Sequence, residues 1–312
     1  MKTILFNIAS IVFSLSLAYS DTLSHHKPEL GIGFSDNANY SDTNPKHDNY
    51  FWVKSFSSWI KEPSPLELYL SYKDFVREKQ NNVFLWNTKM TLPSPNLLKE
   101  EGYFIFGLGG QNYTSSNPET TDEGFDNIFI EGAILKSKSW GQSNNWNFEP
   151  GYLLKHFEDT HRRTDHQIYL NSSLDLELNV KNLFTPMAEM GFIFSSDSLY
   201  RKNYFELGLQ WSFKMQQTWT LFLNVFNRSS WFPGRTLTSV RQIPSVKKNQ
   251  KTSVLSQNEI EFQSLSQVEL SLIKEFQKLT TKFTLIKTSQ LTKSETENFN
   301  ELRLQCSIGY SF

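Results

Sequence analysis

Glu301 to Phe312 reads ELRLQCSIGYSF, and its alternation decides the fold. Leu302, Leu304, Cys306, Ile308, Tyr310 and Phe312 are apolar, while Glu301, Arg303, Gln305, Ser307, Gly309 and Ser311 between them are polar or small. Successive side chains of a β-strand point to opposite faces, so this strand is apolar on one side and polar on the other. A tilted strand of about 9–11 residues crosses a bilayer, and among sheets only a closed barrel leaves no unpaired edge in lipid. A soluble sandwich or lipocalin-like barrel would show the same alternation with its apolar face turned inward.

The other end of the chain favours the membrane. Lys2 supplies a short positive region, and Ile4 to Leu17 form an apolar core interrupted only by Asn7, Ser10, Ser14 and Ser16. Ala18-Tyr19-Ser20 then places small residues at the two positions a signal peptidase reads. Residues 1–20 are therefore expected to be a cleavable signal peptide, with 21–312 as one barrel domain. The apolar run falls short of the roughly 20 residues an anchor needs. No other stretch is long and apolar enough for a transmembrane helix. The mean hydropathy of -0.46 would suggest a soluble protein, but a barrel escapes that inference because every second residue faces its lumen. An aromatic share of 15% suits girdles at two membrane interfaces. Cys306 is the only cysteine, so no intramolecular disulfide and no cysteine-based metal site is possible. A formal net charge of -1 gives no basic excess for a nucleic-acid partner.

A final strand ending in an aromatic residue resembles the C-terminal signal of Gram-negative outer-membrane β-barrel proteins, the porin-like class. The resemblance implies residence in the outer membrane, with its lipids and the barrel-assembly machinery as partners. Tyr310 and Phe312 are the residues most like the signal which that machinery reads, and deleting Phe312 is expected to impair assembly.

Further strands follow from the same period of two. Leu66, Leu68, Leu70 and Tyr72 alternate with Glu67, Tyr69, Ser71 and Lys73, and Ile168 to Val180 alternate with Tyr169 to Asn179. Tyr50 to Ile60 has the composition of a strand but no readable register, and Pro150 suggests a bulge in its segment. Links alternate between long and short, as outer loops and periplasmic turns do. The longest link runs from Asn227 to Asn258; counting Thr236 to Ile243 as a separate strand would break the rhythm. The expectation is all-β: a transmembrane antiparallel barrel of about 14 strands, with 12 as the alternative.

If the apolar face meets lipid, the interleaved residues line a pore. Its acids are then Glu67, Glu131, Glu149, Asp175, Glu177, Glu189, Glu206, Glu259, Glu261, Glu269 and Glu301, against fewer bases: Lys73, Lys89, Lys155, Lys282 and Arg303. Such a balance points to a passive, cation-preferring channel for small polar or cationic solutes. The alternative is a closed structural or adhesive barrel whose charges pair across strands. The Asn227 to Asn258 link, with Arg228, Arg235, Arg241, Lys247, Lys248 and Lys251, is a conceivable plug.

A lipid hydrolase is the weaker reading. His156, Asp159, His161, Asp165 and His166 lie near Ser172 and Ser173, but no His-x-Ser, the outer-membrane phospholipase spacing, occurs in the chain. No catalytic residue, metal site or cofactor is expected. His156, His161 and His166 alternate faces in an extended chain, and His25-His26 is equally unspecific.

Overall fold

A computed structural model describes residues 24–38, 45–59, 65–94, 102–113, 126–141, 143–158, 163–242, 254–292 and 298–312, with the backbone alone for 24, 236–242 and 254–259. The expected signal peptide lies outside these residues.

The chain forms β1 (Ser24–Ser35), β2 (Asp48–Trp59), β3 (Leu66–Phe75), β4 (Val83–Pro93), β5 (Gly102–Tyr113), β6 (Asn127–Trp140) and β7 (Asn144–Phe157). It continues as β8 (Thr164–Asn179), β9 (Asn182–Ser195), β10 (Lys202–Gln216), β11 (Trp219–Gln242), β12 (Val254–Phe276), β13 (Leu279–Thr292) and β14 (Phe299–Tyr310). Each strand pairs antiparallel with its neighbours in sequence, and β1 pairs with β14, so the sheet closes into a barrel of 14 strands. The 12-strand alternative is set aside. Closure satisfies both edges, which is the condition for backbone in lipid.

Register fixes the two faces. In β14, Leu304, Ile308, Tyr310 and the lone Cys306 are exposed, whereas Glu301 and Ser307 are buried. The same sorting holds around the wall. Ile32, Phe106, Ile130, Ile168, Phe192, Leu207, Leu270 and Phe283 stand exposed on the outside, and Tyr50, Trp52, Ile105, Tyr169 and Glu301 are buried on the inside. An apolar exterior around a polar interior inverts a soluble barrel. Aromatic pairs ring the outside near both ends. Trp146–Phe148, Trp211–Phe213 and Tyr310–Phe312 lie toward the short turns, and Trp231–Phe262 toward the long links.

Three local expectations change. Pro150 makes no bulge: the β6–β7 register is unbroken from Ala133–Gly151 to Lys136–Phe148, and only the pairs between are missing, where proline has no N–H to give. The register of β2 is now fixed, with Tyr50, Trp52 and Lys54 inward and Phe51 and Val53 outward. Most of the Asn227 to Asn258 link is strand: β11 and β12 run on as a ribbon to the Gln242–Val254 pair, bent by a register shift between Phe232 and Thr236. Thr236 to Gln242 is thus the end of β11 and no separate strand. The short links are tight, and Gly141, between β6 and β7, takes a φ of 67°, which glycine adopts without strain.

Candidate functional site

The interior wall carries the chemistry, and glycines shape it. Tyr169 on β8 lies flat over Gly151 of β7, and Tyr204 on β10 lies flat over Gly191 of β9. A ring pressed over a strand without a side chain reaches the strand beyond it. The Tyr169 hydroxyl thus donates to Glu131 Oε1 of β6 at 2.6 Å and is 3.3 Å from Glu149 Oε1 of β7. The Tyr204 hydroxyl donates to Glu189 Oε1 at 2.6 Å and accepts from Gln167 Nε2 at 2.7 Å. Asp175 receives Thr185 Oγ1 at 2.9 Å and Asn147 Nδ2 at 3.1 Å. The donors on this side, β6 to β9, are neutral.

The acids elsewhere have cationic partners. Arg228 Nε is 2.8 Å from Glu206 Oε2, Lys282 Nζ 3.2 Å from Glu269 Oε1, and Arg235 Nη1 3.5 Å from Glu261 Oε2. Glu301 is wholly buried at the β14–β1 seam, 3.3 Å from Arg303 Nε, and accepts from Ser35 Oγ at 2.7 Å. Lys54 and Lys73 rest over aromatic rings, Lys54 4.3 Å from the Trp52 centroid and Lys73 4.0 Å from that of Tyr50. Each of these interior hydrogen bonds and ion pairs joins side chains of one strand, of neighbours or of strands one apart. They run along the wall.

Of the residues read from sequence, Glu131, Glu149, Asp175 and Glu189 come together as the strip with neutral donors. Glu206, Glu261, Glu269 and Arg303 take part in ion pairs. Glu67 sits opposite Lys89 in register, and Glu177 is exposed near the short β8–β9 turn. The side chain of Glu259 lies outside the described residues. Sequence reasoning missed Lys54, Arg163 and Lys202 on the inner face, and it assigned Arg228 and Arg235 to a plug. Both arginines instead belong to the wall on β11, while Lys247, Lys248 and Lys251 lie outside the described residues. The excess of acids over bases is accordingly smaller than the alternation implied.

The histidine cluster does not assemble a serine mechanism. His166 Nδ1 is 2.6 Å from the Tyr152 hydroxyl, His156 Nδ1 is 3.0 Å from Thr164 Oγ1, and Ser172 Oγ accepts from Trp146 Nε1 at 2.9 Å. His166 and Ser172 share the outer face of β8 but stand about 20 Å apart along it. Asp165 points to the opposite face, and Asp159 and His161 lie outside the described residues. No metal-holding cluster occurs among the described residues.

No protein-family model and no curated protein matches the sequence. Solved structures similar in architecture are outer-membrane barrels. A bacterial polysaccharide outer membrane secretin is 10% identical with a TM-score of 0.49, covering 91% of this chain and 98% of its own. The anion-selective porin from Comamonas acidovorans is 7% identical with a TM-score of 0.47, covering 94% and 99%. The outer membrane channel DcaP of Acinetobacter baumannii is 8% identical with a TM-score of 0.48, covering 94% and 97%.

Proposed function

We propose that this chain is an outer-membrane barrel acting as a passive channel for small polar solutes, with a preference for cations. One observation carries the preference. Glu131, Glu149, Asp175 and Glu189 are held by tyrosine, threonine and asparagine, so their negative charge is not cancelled by the groups that orient them. Among the described cations, Lys89 of β4 acts on Glu149, and Arg228 stands 4.9 Å from the centroid of the Tyr204 ring that holds Glu189. Glu206, Glu261, Glu269 and Glu301 have arginine or lysine beside them and Glu67 has Lys89 opposite, so these contribute less net field. A fixed carboxylate strip on a wet wall raises the local concentration of cations.

The test is the reversal potential of the refolded protein in a planar bilayer under a salt gradient. Stable conductance steps with cation preference are expected. Replacing Glu131, Glu149 and Glu189 together by glutamine keeps acceptors for Tyr169 and Tyr204 while removing three charges, and should lower the cation-to-anion permeability ratio about twofold. A folded protein that carries no current would overturn the reading.

Insertion through the barrel-assembly machinery is part of the same proposal. Tyr310 and Phe312 stand exposed with ring centroids 4.8 Å apart, and the Phe312 N–H donates to the His26 carbonyl at 3.0 Å. The double variant Tyr310→Ala/Phe312→Ala should reduce the amount of barrel in the membrane several-fold at equal synthesis. Unchanged membrane levels would remove these residues from the recognition step.

A further inference from the structure

Near the long-link end of the inner wall, β7, β8, β9, β10 and β11 enclose a pocket of about 40 Å³ that the channel reading does not use. Its described charged lining is Lys155, Arg163 and Lys202 against a single carboxylate, Asp165. The rest is largely apolar, with Leu153, Phe157, Ile193, Tyr200 and Phe232. This combination is the reverse of the acidic strip lower on the same wall.

Arg163 is the fixed point. Its guanidinium carbon lies 3.8 Å from the Phe157 ring centroid and 3.6 Å from that of Tyr200, and the side chain is 2% exposed. Two rings clamp the plane of the fork, and a planar fork held in place matches a carboxylate better than a flexible ammonium does. Asp165 Oδ1, 3.3 Å from Arg163 Nε, steadies one edge of the fork. Lys155 and Lys202 stand over Phe157 and Phe232 at 5.6 and 5.8 Å, half-buried at the rim. The volume suits one small anionic group, since a single water needs about 10–15 Å³ of such space. Phe232 and Ile193 offer an apolar surface beside it.

We propose that this pocket binds the carboxylate of a small organic acid whose ring or apolar portion lies against Phe232 and Ile193. The occupant is an aqueous solute rather than a lipid headgroup, because Lys155, Asp165, Gln167 and Lys202 share the face opposite the exposed apolar belt. The pocket would hold such acids at the mouth of a passage whose acidic strip disfavours them.

The test does not depend on conductance. Folded protein in detergent is titrated with benzoate, followed by saturation-transfer NMR, with benzamide and acetate as the uncharged and ringless comparisons. Benzoate should bind more tightly than either. Lys155→Gln and Lys202→Gln, which leave the clamped arginine in place, should each weaken benzoate about tenfold, and the difference should shrink as salt is raised. The proposal is overturned if the double variant, melting as the unsubstituted protein does, binds benzoate equally well. It is also overturned if benzamide binds as well as benzoate, because micelle partition or apolar contact alone would then explain the binding. Acetate binding as tightly as benzoate would remove the apolar half of the site. Conductance failing while benzoate binding persists would overturn the channel and leave the pocket.

Discussion

Glu301→Ala should destabilise the folded barrel by about 3–5 kcal/mol, among the largest losses expected from any single interior substitution. Glu301 is 0% exposed at the seam where the last strand meets the first. It accepts from Ser35 of β1 and lies beside Arg303 of its own strand. Its Oε2 makes an ion pair with Arg303 that falls outside hydrogen-bond geometry, so the attraction there is chiefly charge. Alanine leaves the Ser35 hydroxyl without its acceptor and Arg303 without its counter-charge, both in a closed environment. Glu301→Gln keeps an acceptor for Ser35 and should cost about 1–2 kcal/mol. Urea unfolding of the vesicle-inserted protein measures both. A Glu301→Ala midpoint equal to that of the unsubstituted protein would show that backbone pairing alone closes the seam.

Gly151→Ala should cost about 3 kcal/mol for the addition of one methyl group. A Cβ built on Gly151 falls inside the van der Waals radii of Tyr169 Cζ and Oη. The ring end of a tyrosine would ordinarily swing aside at small cost. Here its hydroxyl is tied to Glu131 and Glu149, and the ring packs near Ile105 and Ala133. Swinging aside therefore gives up a hydrogen bond as well as contact. The cause can be isolated with a second substitution. Tyr169→Ala removes the ring, so in its presence Gly151→Ala should add little, giving a coupling energy of about 2–3 kcal/mol in a double-mutant cycle. Additive losses would mean that glycine at 151 matters for the strand and not for the ring above it.

How much of this was readable follows from what each residue has to satisfy. β14 was legible because one face meets lipid and the other the interior, and both demands write themselves into a period of two. β2 was not, because Tyr50 and Trp52 pack inward over glycines of β1 while Phe51 faces out, leaving aromatic residues on both faces. The long-short rhythm of the links gave the strand number, since turns at one end are tight. It failed for β11 beyond Val225, where the outward residues become Asn227 and Ser229. A strand outside the apolar belt needs no apolar face, so its period disappears while its ladder continues. The acidic strip was half-read. Alternation placed Glu131, Glu149 and Glu189 inside, but the tyrosines that hold them act across glycine, and Tyr169 reaches two strands away, which no spacing within one strand reveals. Arg163 lies amid the His156 to His166 cluster with no pattern of its own, and only the pairing of the strands sets it between Phe157 and Tyr200.

The β11–β12 ribbon fixes how deep the barrel can sit. Beyond Trp231 and Gln263, the described ladders of its two strands run only to each other. Amide and carbonyl groups along both margins therefore require water, and hydrocarbon would leave each unsatisfied at a cost of several kcal/mol. Just below, the outer face changes from Val225 and Val268 to Asn227, whose amide bonds Ser264 at 3.1 Å and Ser266 at 2.7 Å. That polar knot marks a waterline on the hull. The barrel cannot sink past it, and it cannot enter ribbon-first without drawing those margins through oil, so the finished molecule has one stable heading in the bilayer.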